Sequence, residues 1–330
     1  MSLGAFPGTR LALKRRDEVI RDARQTCRAF FVHLGVRARL ALERLPRASG
    51  LPGLKRRLLE IALPPAAPRL WPAPALISGP GGVMTVLSAN LWHDWPRYRR
   101  LPERLEAMAR LMEDEGVDVA LLQEVARTPA LHADRWLAGR LRMSSAYSRA
   151  NGHEKAIGFE EGLAILSRYP LRSPRAEQLR PSLVPWVRRM ALGAEIDGPA
   201  GRMAAYSVHL GLIPRLNAAQ LEHLLGWIGA SARGLAAVIA GDFNAHENAP
   251  QMRRARAAWL DVFRHLHPLV DGTTHVLRWP WGAPLRRHRL DYVFLHAAEP
   301  RWRVLEARTI EGLGHASDHR AVLARLKACE

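Results

Sequence analysis

Several polar residues stand at the ends of apolar, strand-like runs, and their side chains are of types that bind divalent cations or move protons. Asn90 follows TVLSA, Glu124 follows VALLQ, and His209 follows AAYSV. Asp242 and Asn244 close the run AAVIAGDFN. In α/β sheets the ends of strands and the loops after them form the crevice that binds ligands. These residues are therefore expected to lie in one site.

The stretches GDFN and SDHR combine the most reactive residue types. On an extended chain Asp242 and Asn244 point to the same side, and a carboxylate beside an amide suits a hard cation together with a phosphoryl oxygen. Asp318 and His319 are adjacent and act together only if a loop brings both to one site. Each stretch alone also fits an ordinary turn beside a strand, so single motifs leave the choice open.

Strands and helices alternate from residue 84 onward, and this order must position the polar residues. Apolar runs predict strands at 84–90, 117–125, 161–169, 190–197, 202–210, 235–243, 289–296 and 320–326. Apolar residues at helical spacing predict helices at 101–116 and 214–232. This mixture predicts an α/β or α+β domain of roughly 245 residues.

The chain before this domain differs from it in composition. Residues 1–63 are predicted to form a basic helical extension, residues 64–82 a Pro/Gly-rich linker, and residues 83–330 the domain. The extension fits an amphipathic element that binds membrane or nucleic acid, a targeting segment, or an accessory segment without a catalytic role. A start of translation at Met84 is a further alternative.

The composition narrows the range of partners without giving the chemistry. Lys and Arg number 49 against 31 Asp and Glu, and the net charge of +18 favours nucleic acid, anionic lipid or phosphorylated substrates. The two cysteines exclude a disulfide-stapled scaffold and a zinc site made of several thiolates. Neither a clear signal peptide nor an apolar run of the roughly 20 residues that span a membrane is found, which favours a cytoplasmic location.

The order of the motifs resembles the endonuclease/exonuclease/phosphatase superfamily, which includes deoxyribonuclease I and neutral sphingomyelinases. The motifs are SANLW, LLQEV, EGLAILSRYP, YSVHLG, AGDFNA, LDYVFL and SDHRAV, and they span residues 88–322. The resemblance implies a four-layer α/β sandwich in which two mixed sheets pack face to face between outer helices. It also implies a metal-dependent hydrolase of phosphoester bonds.

The resemblance further implies how the acidic residues act. Glu124 would be the principal ligand of Mg²⁺ or Mn²⁺, supported by Asn90 and Asp318. Asp242 would orient or activate the attacking water, or hold a second metal ion. Asn244 would hold a phosphoryl oxygen. These roles fit the physics of attack on an anionic phosphodiester, in which a divalent cation offsets charge repulsion and lowers the pKa of bound water.

The resemblance assigns the remaining catalytic roles to histidines with carboxylate neighbours. His319, oriented by Asp291, would be the general base or a phosphate-binding partner. His209, with Glu161 as its candidate partner, would donate a hydrogen bond or a proton to the leaving group. A carboxylate behind each imidazole would fix its tautomer, and general acid–base catalysis typically contributes about 10²–10⁴-fold.

Departures from the superfamily's abasic-site branch bear on the substrate. That branch usually carries a first motif of the WN-x-NG type and lacks a histidine at the position of His209, whereas this chain has SANLWHDW and keeps the histidine.

Trp281 and Arg287 are candidate contacts to bases and phosphates, although a bulky loop with solvated arginines is the alternative. Arg188 and Arg189 are candidates for placing a cation near the phosphate, and one of them fits a plain strand-edge charge. Neighbours expected on the same Trp/Arg surface are Trp279, Arg286 and Arg289.

Three functions follow as expectations. A Mg²⁺- or Mn²⁺-dependent phosphodiesterase or nuclease, acting as a monomer on a phosphodiester such as nucleic acid, is favoured. A lipid-directed phosphodiesterase or phosphatase, with residues 10–63 on an anionic membrane, is the alternative within enzymes. A catalytically inactive binding module is the alternative from another class, and the complete set of motif residues argues against it.

Overall fold

The structure, a computed structural model, describes residues 67–73, 82–184, 187–279, 281, 283–296, 302–311 and 316–329. The basic extension predicted at 1–63 lies outside the described residues, as does most of the predicted linker. Every helix and strand described belongs to one structural unit. Asp94–Arg97 belongs to a second unit. It forms a turn, in which the Arg97 amide donates to the Asp94 carbonyl oxygen at 2.8 Å.

The first sheet has eight strands and contains the strands at both ends of the domain. Its strands are β1 (Arg69–Trp71), β2 (Val83–Asn90), β3 (Val119–Thr128), β4 (Leu131–His132), β5 (Ser144–His153), β6 (Phe159–Ser167), β15 (Trp302–Ile310) and β16 (Ala321–Ala328). They follow the order β1-β5-β6-β3-β2-β16-β15, with β4 beside β3. Because β2 and β3 run parallel, Asn90 is opposite Gln123 and next to the strand position of Glu124.

The second sheet has six strands. They are β7 (Leu171–Val184), β8 (Val187–Gly198), β9 (Gly201–His209), β10 (Ala237–Asp242), β11 (Leu260–Asp261) and β14 (Asp291–His296), in the order β11-β14-β10-β9-β8-β7. The strands β12 (His275–Arg278) and β13 (Pro284–His288) form a separate antiparallel hairpin. The parallel pair in this sheet is β9 and β10, which end together at His209 and Asp242.

Six helices are described, and the larger ones cover the outer faces of the sheets. They are α1 (Leu101–Asp114), α2 (Ala133–Leu141), α3 (Glu154–Ile157), α4 (Pro214–Ser231), α5 (Pro250–Ala258) and α6 (Val262–Leu266). One core lies between the sheets and contains Val86 and Leu121 with Leu192 and Val238. A second core packs the other face of the second sheet against α4 and α5. The predicted four-layer α/β sandwich is confirmed.

The strands predicted from apolar runs are present, and the structure adds elements that the pattern did not indicate. The additions include β5, β7, β15 and the β12–β13 hairpin, in whose sequences charged residues, Pro or small polar residues interrupt the apolar ones. Arg69–Trp71 falls in the predicted linker but pairs with Ser145–Tyr147 at the sheet edge, where backbone pairing outweighs the Pro-rich context. None of the described helices is both long and apolar enough to cross a bilayer.

Gly241 makes a close backbone contact that sets the end of β10. Its φ is 153°, and a Cβ there would lie 1.9 Å from the Val208 carbonyl oxygen. We expect Gly241→Ala to lower the free energy of unfolding by about 1–3 kcal/mol or more, measured by urea unfolding. Gly139→Ala in α2 is the control, because a Cβ there meets nothing within 4 Å, and it should stabilise by about 0.5–1 kcal/mol. Equal stability of the two variants would contradict this reading of β10.

Candidate active site

The register of the second sheet places three of the predicted site residues side by side. Asp242, the last residue of β10, pairs with His209 on β9 and with Asp291 on β14. All three side chains are buried. The row forms because the parallel strands β9 and β10 end at the same edge, and β14 begins there in the opposite direction.

Asn90 connects this row to the first sheet. Its Nδ2 donates to Asp242 Oδ2 at 3.3 Å and to Glu124 Oε1 at 3.4 Å. Its Oδ1 accepts a hydrogen bond from the Trp92 amide at 2.9 Å, which fixes the orientation of the amide group. Asn90 therefore holds carboxylates from the two sheets at one point.

Glu124 lies inside β3, whereas the sequence predicted that it stands at the end of the strand. The pairing of β3 with β6 shifts between Leu122 and Val125, and Glu124 has a φ of 51°. A bulge of this kind redirects a side chain, and a positive φ at a residue other than Gly costs of order 1–3 kcal/mol. The carboxylate is 22% exposed, and its Oε2 lies 3.5 Å from His93 Nε2.

His319 is held by a buried carboxylate. Its Nδ1 donates to Asp291 Oδ2 at 2.8 Å, and its Nε2 lies 4.0 Å from Asp242 Oδ2. Burial alone would lower the pKa of His319, but the charges of Asp291 and Asp242 and the hydrogen bond to Asp291 raise it well above its ordinary value. His319 is therefore an imidazolium in this structure, with Nε2 directed toward the row of strand ends.

The loop that carries His319 is tied to β2 through Ser317. Ser317 Oγ donates to the Asn90 carbonyl oxygen at 2.6 Å and accepts from the His319 amide at 3.1 Å. The SDHR motif therefore reaches the site through a specific contact with the first sheet. This contact explains why a serine precedes Asp318 and His319 in the motif.

Asp242 is a buried carboxylate whose pKa is raised to near neutrality. Burial, together with the neighbouring Asp291 carboxylate, raises the pKa of Asp242 to about 7. Its Oδ1 accepts a hydrogen bond from the Asn244 amide at 2.9 Å. Asn244 has a φ of 49°, and its Nδ2 donates to the Leu210 carbonyl oxygen at 3.0 Å. Asp242 can therefore take up a proton near pH 7.

His209 has a different environment from the one expected. Burial and the adjacent Arg189 lower the pKa of His209 well below its ordinary value, so the ring is neutral. Its Nε2 accepts from Arg189 Nη1 at 2.9 Å and lies 3.7 Å from Asp242 Oδ2. These contacts, rather than a pair with Glu161, are the ones the structure gives His209. Glu161 instead accepts a hydrogen bond from Asn151 Nδ2.

The two adjacent arginines at the start of β8 occupy different places. Arg189 reaches the site through His209. Arg188 is buried, its amide donates to Asn151 Oδ1 at 2.7 Å, and its Nη1 donates to the Ala150 carbonyl oxygen at 3.2 Å. The pair therefore provides one cation at the row of strand ends, from Arg189, and one that bonds from β8 of the second sheet to β5 of the first, from Arg188.

The Trp/Arg stretch forms the exposed β12–β13 hairpin. Trp281 is 73% exposed and stacks on Trp279 with ring centroids 4.9 Å apart. Arg287 is exposed, and its Nη1 lies 3.9 Å from Asp271 Oδ2. Arg289, expected on the same surface, is instead buried, with bonds of 2.6 and 2.9 Å to Asp261. The expected substrate contact is therefore wrong for Arg289, because its guanidinium stabilises the interior.

The sequence did not single out several residues of the site. His93 lies next to Glu124, Asn151 binds Glu161, and Ser317 anchors the SDHR loop. His275 packs on His319, with ring centroids 4.7 Å apart. His93 and Ser317 stand inside motifs that were recognised, whereas Asn151 and His275 lie in elements without an apolar pattern, so no signal pointed to them.

The donor set fits a hard divalent cation. Glu124 offers a partly exposed carboxylate, and carboxylate oxygens are ligands that Mg²⁺ prefers. Asn90 turns its Nδ2 toward Glu124, and its Oδ1 accepts from the Trp92 amide. Asp291 Oδ1 is buried and has no hydrogen-bond partner among the described residues. Gathered carboxylates with an unsatisfied oxygen are costly without a compensating charge, and a cation supplies it. Asp318 is exposed and lies close to His275 and His319.

Comparison with known proteins defines the class. Residues 87–319 match the model of the Endonuclease/Exonuclease/phosphatase family, and the chain belongs to this family. It is a metal-dependent hydrolase that acts on phosphoester bonds.

Individual relatives are similar over most of the chain. Uncharacterized protein YbhP of Escherichia coli (strain K12) is 27% identical over 259 residues, which cover 73% of this chain and 95% of the relative. The human Nocturnin catalytic domain with bound sulfate has a TM-score of 0.61 at 16% identity, covering 79% of this chain and 98% of that one. D. rerio TDP2 complexed with a single-strand DNA product has a TM-score of 0.59 at 17% identity, covering 74% and 99%. The solved structures share the fold.

Proposed function

We propose that this protein is a Mg²⁺- or Mn²⁺-dependent phosphodiesterase whose substrate is nucleic acid. The observation that supports this most is the single centre formed by Asn90, Glu124, Asp242 and His319 from two sheets and a loop. We propose Glu124 and, through its Oδ1, Asn90 as the ligands of the cation, with Asp318 in support. A divalent cation bound there would offset charge on the phosphoryl oxygens and lower the pKa of a water molecule.

Asp242, His319 and His209 have different roles in the proposed reaction. Asp242, with a pKa near 7, accepts a proton from the attacking water as the new P–O bond forms. His319, charged and held at Nδ1 by Asp291, donates from Nε2 to a phosphoryl oxygen. Neutral His209 has only Nδ1 free to donate, because Nε2 accepts from Arg189, and it donates a hydrogen bond to the leaving oxygen, which takes its proton from solvent water as that P–O bond breaks.

The hairpin supports a polynucleotide substrate. It begins at His275, whose ring packs on that of His319, and it carries the stacked Trp279–Trp281 pair. Exposed indoles provide stacking surfaces for bases, and Arg287 adds positive charge for the phosphates. In the similar structure of D. rerio TDP2, the bound molecule is a single-strand DNA product.

Trp281→Ala is expected to weaken binding of a single-stranded oligonucleotide by about 1–3 kcal/mol, because one stacking surface is removed. The measurement is the Kd from fluorescence anisotropy at fixed low salt, with EDTA present to prevent turnover. Leu305→Ala is the matched control, since Leu305 is an exposed apolar residue in β15 of the first sheet, and its Kd should be unchanged. An unchanged Kd for Trp281→Ala would remove the hairpin from the substrate path.

A lipid-directed phosphodiesterase is the second candidate, and one feature favours it. The hairpin exposes Leu277 and Leu285 in addition to its two indoles. Apolar and aromatic residues flanked by arginines are typical of surfaces that rest on anionic lipid. The same hairpin therefore has to be tested against both substrate classes.

A panel of substrates tests the proposal and separates the two candidates. Purified full-length protein is assayed on single- and double-stranded DNA, RNA, sphingomyelin and phosphoinositides with Mg²⁺ or Mn²⁺. We expect polynucleotide cleavage that EDTA stops and either cation restores, because the carboxylate cluster needs a compensating charge to act on an anion. Turnover that resists EDTA would contradict the metal role, and turnover of lipids alone would establish the second candidate.

A further inference from the structure

His275 contributes an imidazole that the proposed reaction does not use. It is the first residue of β12, forms an isolated β-bridge with His319, and packs its ring on that of His319 at 4.7 Å. Its Nδ1 is buried and has no hydrogen-bond partner among the described residues. A buried ring nitrogen without a partner is costly, and a bound cation would satisfy it.

His275 belongs to a group of three potential metal ligands. His275, Asp318 and His319 each offer one ligand atom, and these atoms all lie within 4.8 Å of one another. Asp318 is exposed, which leaves the group open to solvent. Because Asp291 holds His319 Nδ1, the nitrogen left for a cation is Nε2, which releases its proton to solvent when the cation binds. A carboxylate behind a ligating imidazole is the usual way in which proteins orient such a ligand.

We propose that His275, Asp318 and His319 bind a borderline-soft divalent cation such as Zn²⁺, separately from the hard-cation ligands Glu124 and Asn90. Two imidazoles and one carboxylate form a donor set typical of open zinc sites, whereas Mg²⁺ prefers oxygen ligands alone. Three protein ligands leave a fourth position for water. The carboxylate of Asp318 has two oxygens, so binding zinc does not prevent it from supporting the neighbouring cation.

Occupation of this site has a consequence for hydrolysis, and this consequence rests on the proposed function. A cation on His319 Nε2 occupies the nitrogen that would otherwise donate to a phosphoryl oxygen. Zn²⁺ is therefore expected to inhibit hydrolysis supported by saturating Mg²⁺. Binding itself is independent of that role and can be measured without any substrate.

The experiment measures Zn²⁺ binding to metal-free full-length protein by calorimetry in saturating Mg²⁺, with the visible absorption of bound Co²⁺ as a second readout. His275→Phe keeps a flat ring against His319 and removes the ligand nitrogens. We expect its Zn²⁺ affinity to fall by at least about tenfold, since losing even a partner of a ligand costs 10–100-fold. His246→Phe is the matched control, because His246 is an exposed histidine nearby and outside the group.

Asp318→Asn is the second variant, chosen because an exposed loop residue can change without unfolding the chain. The inference requires that both variants bind Zn²⁺ more weakly while His246→Phe binds like the original protein. Unchanged affinity in His275→Phe, or no Zn²⁺ binding by the original protein in Mg²⁺, would overturn it. Absence of hydrolysis would instead count against the proposed function and leave the binding result intact.

Discussion

Asp242→Asn is expected to lower kcat/KM for a generic phosphodiester by roughly 10²–10⁴-fold, the usual contribution of a general base. The amide keeps the shape of the side chain and its place beside Asn90, but it cannot take a proton from water. Asp242 is buried at the centre of the row formed with His209 and Asp291, so no other described carboxylate occupies the same position. The measurement is initial rates on bis(p-nitrophenyl) phosphate in saturating Mg²⁺.

The matched control is another buried carboxylate, outside the row formed by His209, Asp242 and Asp291. Asp134 forms a buried ion pair with Arg127, with bonds of 2.8 and 2.7 Å. Breaking such a pair typically costs about 3–5 kcal/mol of stability, so Asp134→Asn should unfold more easily yet keep its kcat/KM. Asp242→Asn should lose kcat/KM but not stability, because the substitution removes the repulsion between Asp242 and Asp291. If both variants lost activity in proportion to stability, Asp242 would be structural rather than catalytic.

His319→Ala is expected to produce a loss of similar size, about 10²–10⁴-fold in kcat/KM. The substitution removes the positive charge that Asp291 and Asp242 stabilise and the Nε2 donor that faces the row of strand ends. Thermal unfolding of the variant controls for folding. The kcat/KM of Asp291→Asn should lie between the values of the original protein and of His319→Ala, because this variant keeps the imidazole but weakens its charge and orientation.

A double variant shows whether the two residues act in the same step. Residues that work as one unit give losses that are far from additive. The kcat/KM of Asp242→Asn/His319→Ala is therefore expected to lie close to that of the weaker single variant. Losses that multiply would show that the two side chains act independently and would contradict a shared centre.

Much of the site could be predicted from the sequence because it depends on strand ends. Apolar runs that stop at Asn90, His209 and Asp242 give both the strands and their last residues, and parallel pairing then brings those residues to one edge. The motif order gave the family, and with it the two packed sheets. The core agrees with this prediction, since the buried faces of both sheets consist of the same apolar runs.

The rest of the site depends on long-range features that leave no local pattern in the sequence. The bulge that turns Glu124 into the site arises from pairing between β3 and β6 and cannot be read from LLQEV. The contact between Arg189 and His209 follows from the register of β8 against β9. Arg289 had the same appearance in the sequence as its exposed neighbours, and only the position of Asp261 shows that it is buried. Long-range pairing decided each of these cases.

The decisive measurement is the hydrolysis of bis(p-nitrophenyl) phosphate by the metal-stripped protein, before and after addition of Mg²⁺, with Asp242→Asn assayed beside the original protein. We expect no turnover without the cation, turnover on its addition, and a loss of at least about a hundredfold in the variant. Folded protein that stays inactive with every divalent cation tried, or a variant as active as the original, would contradict it.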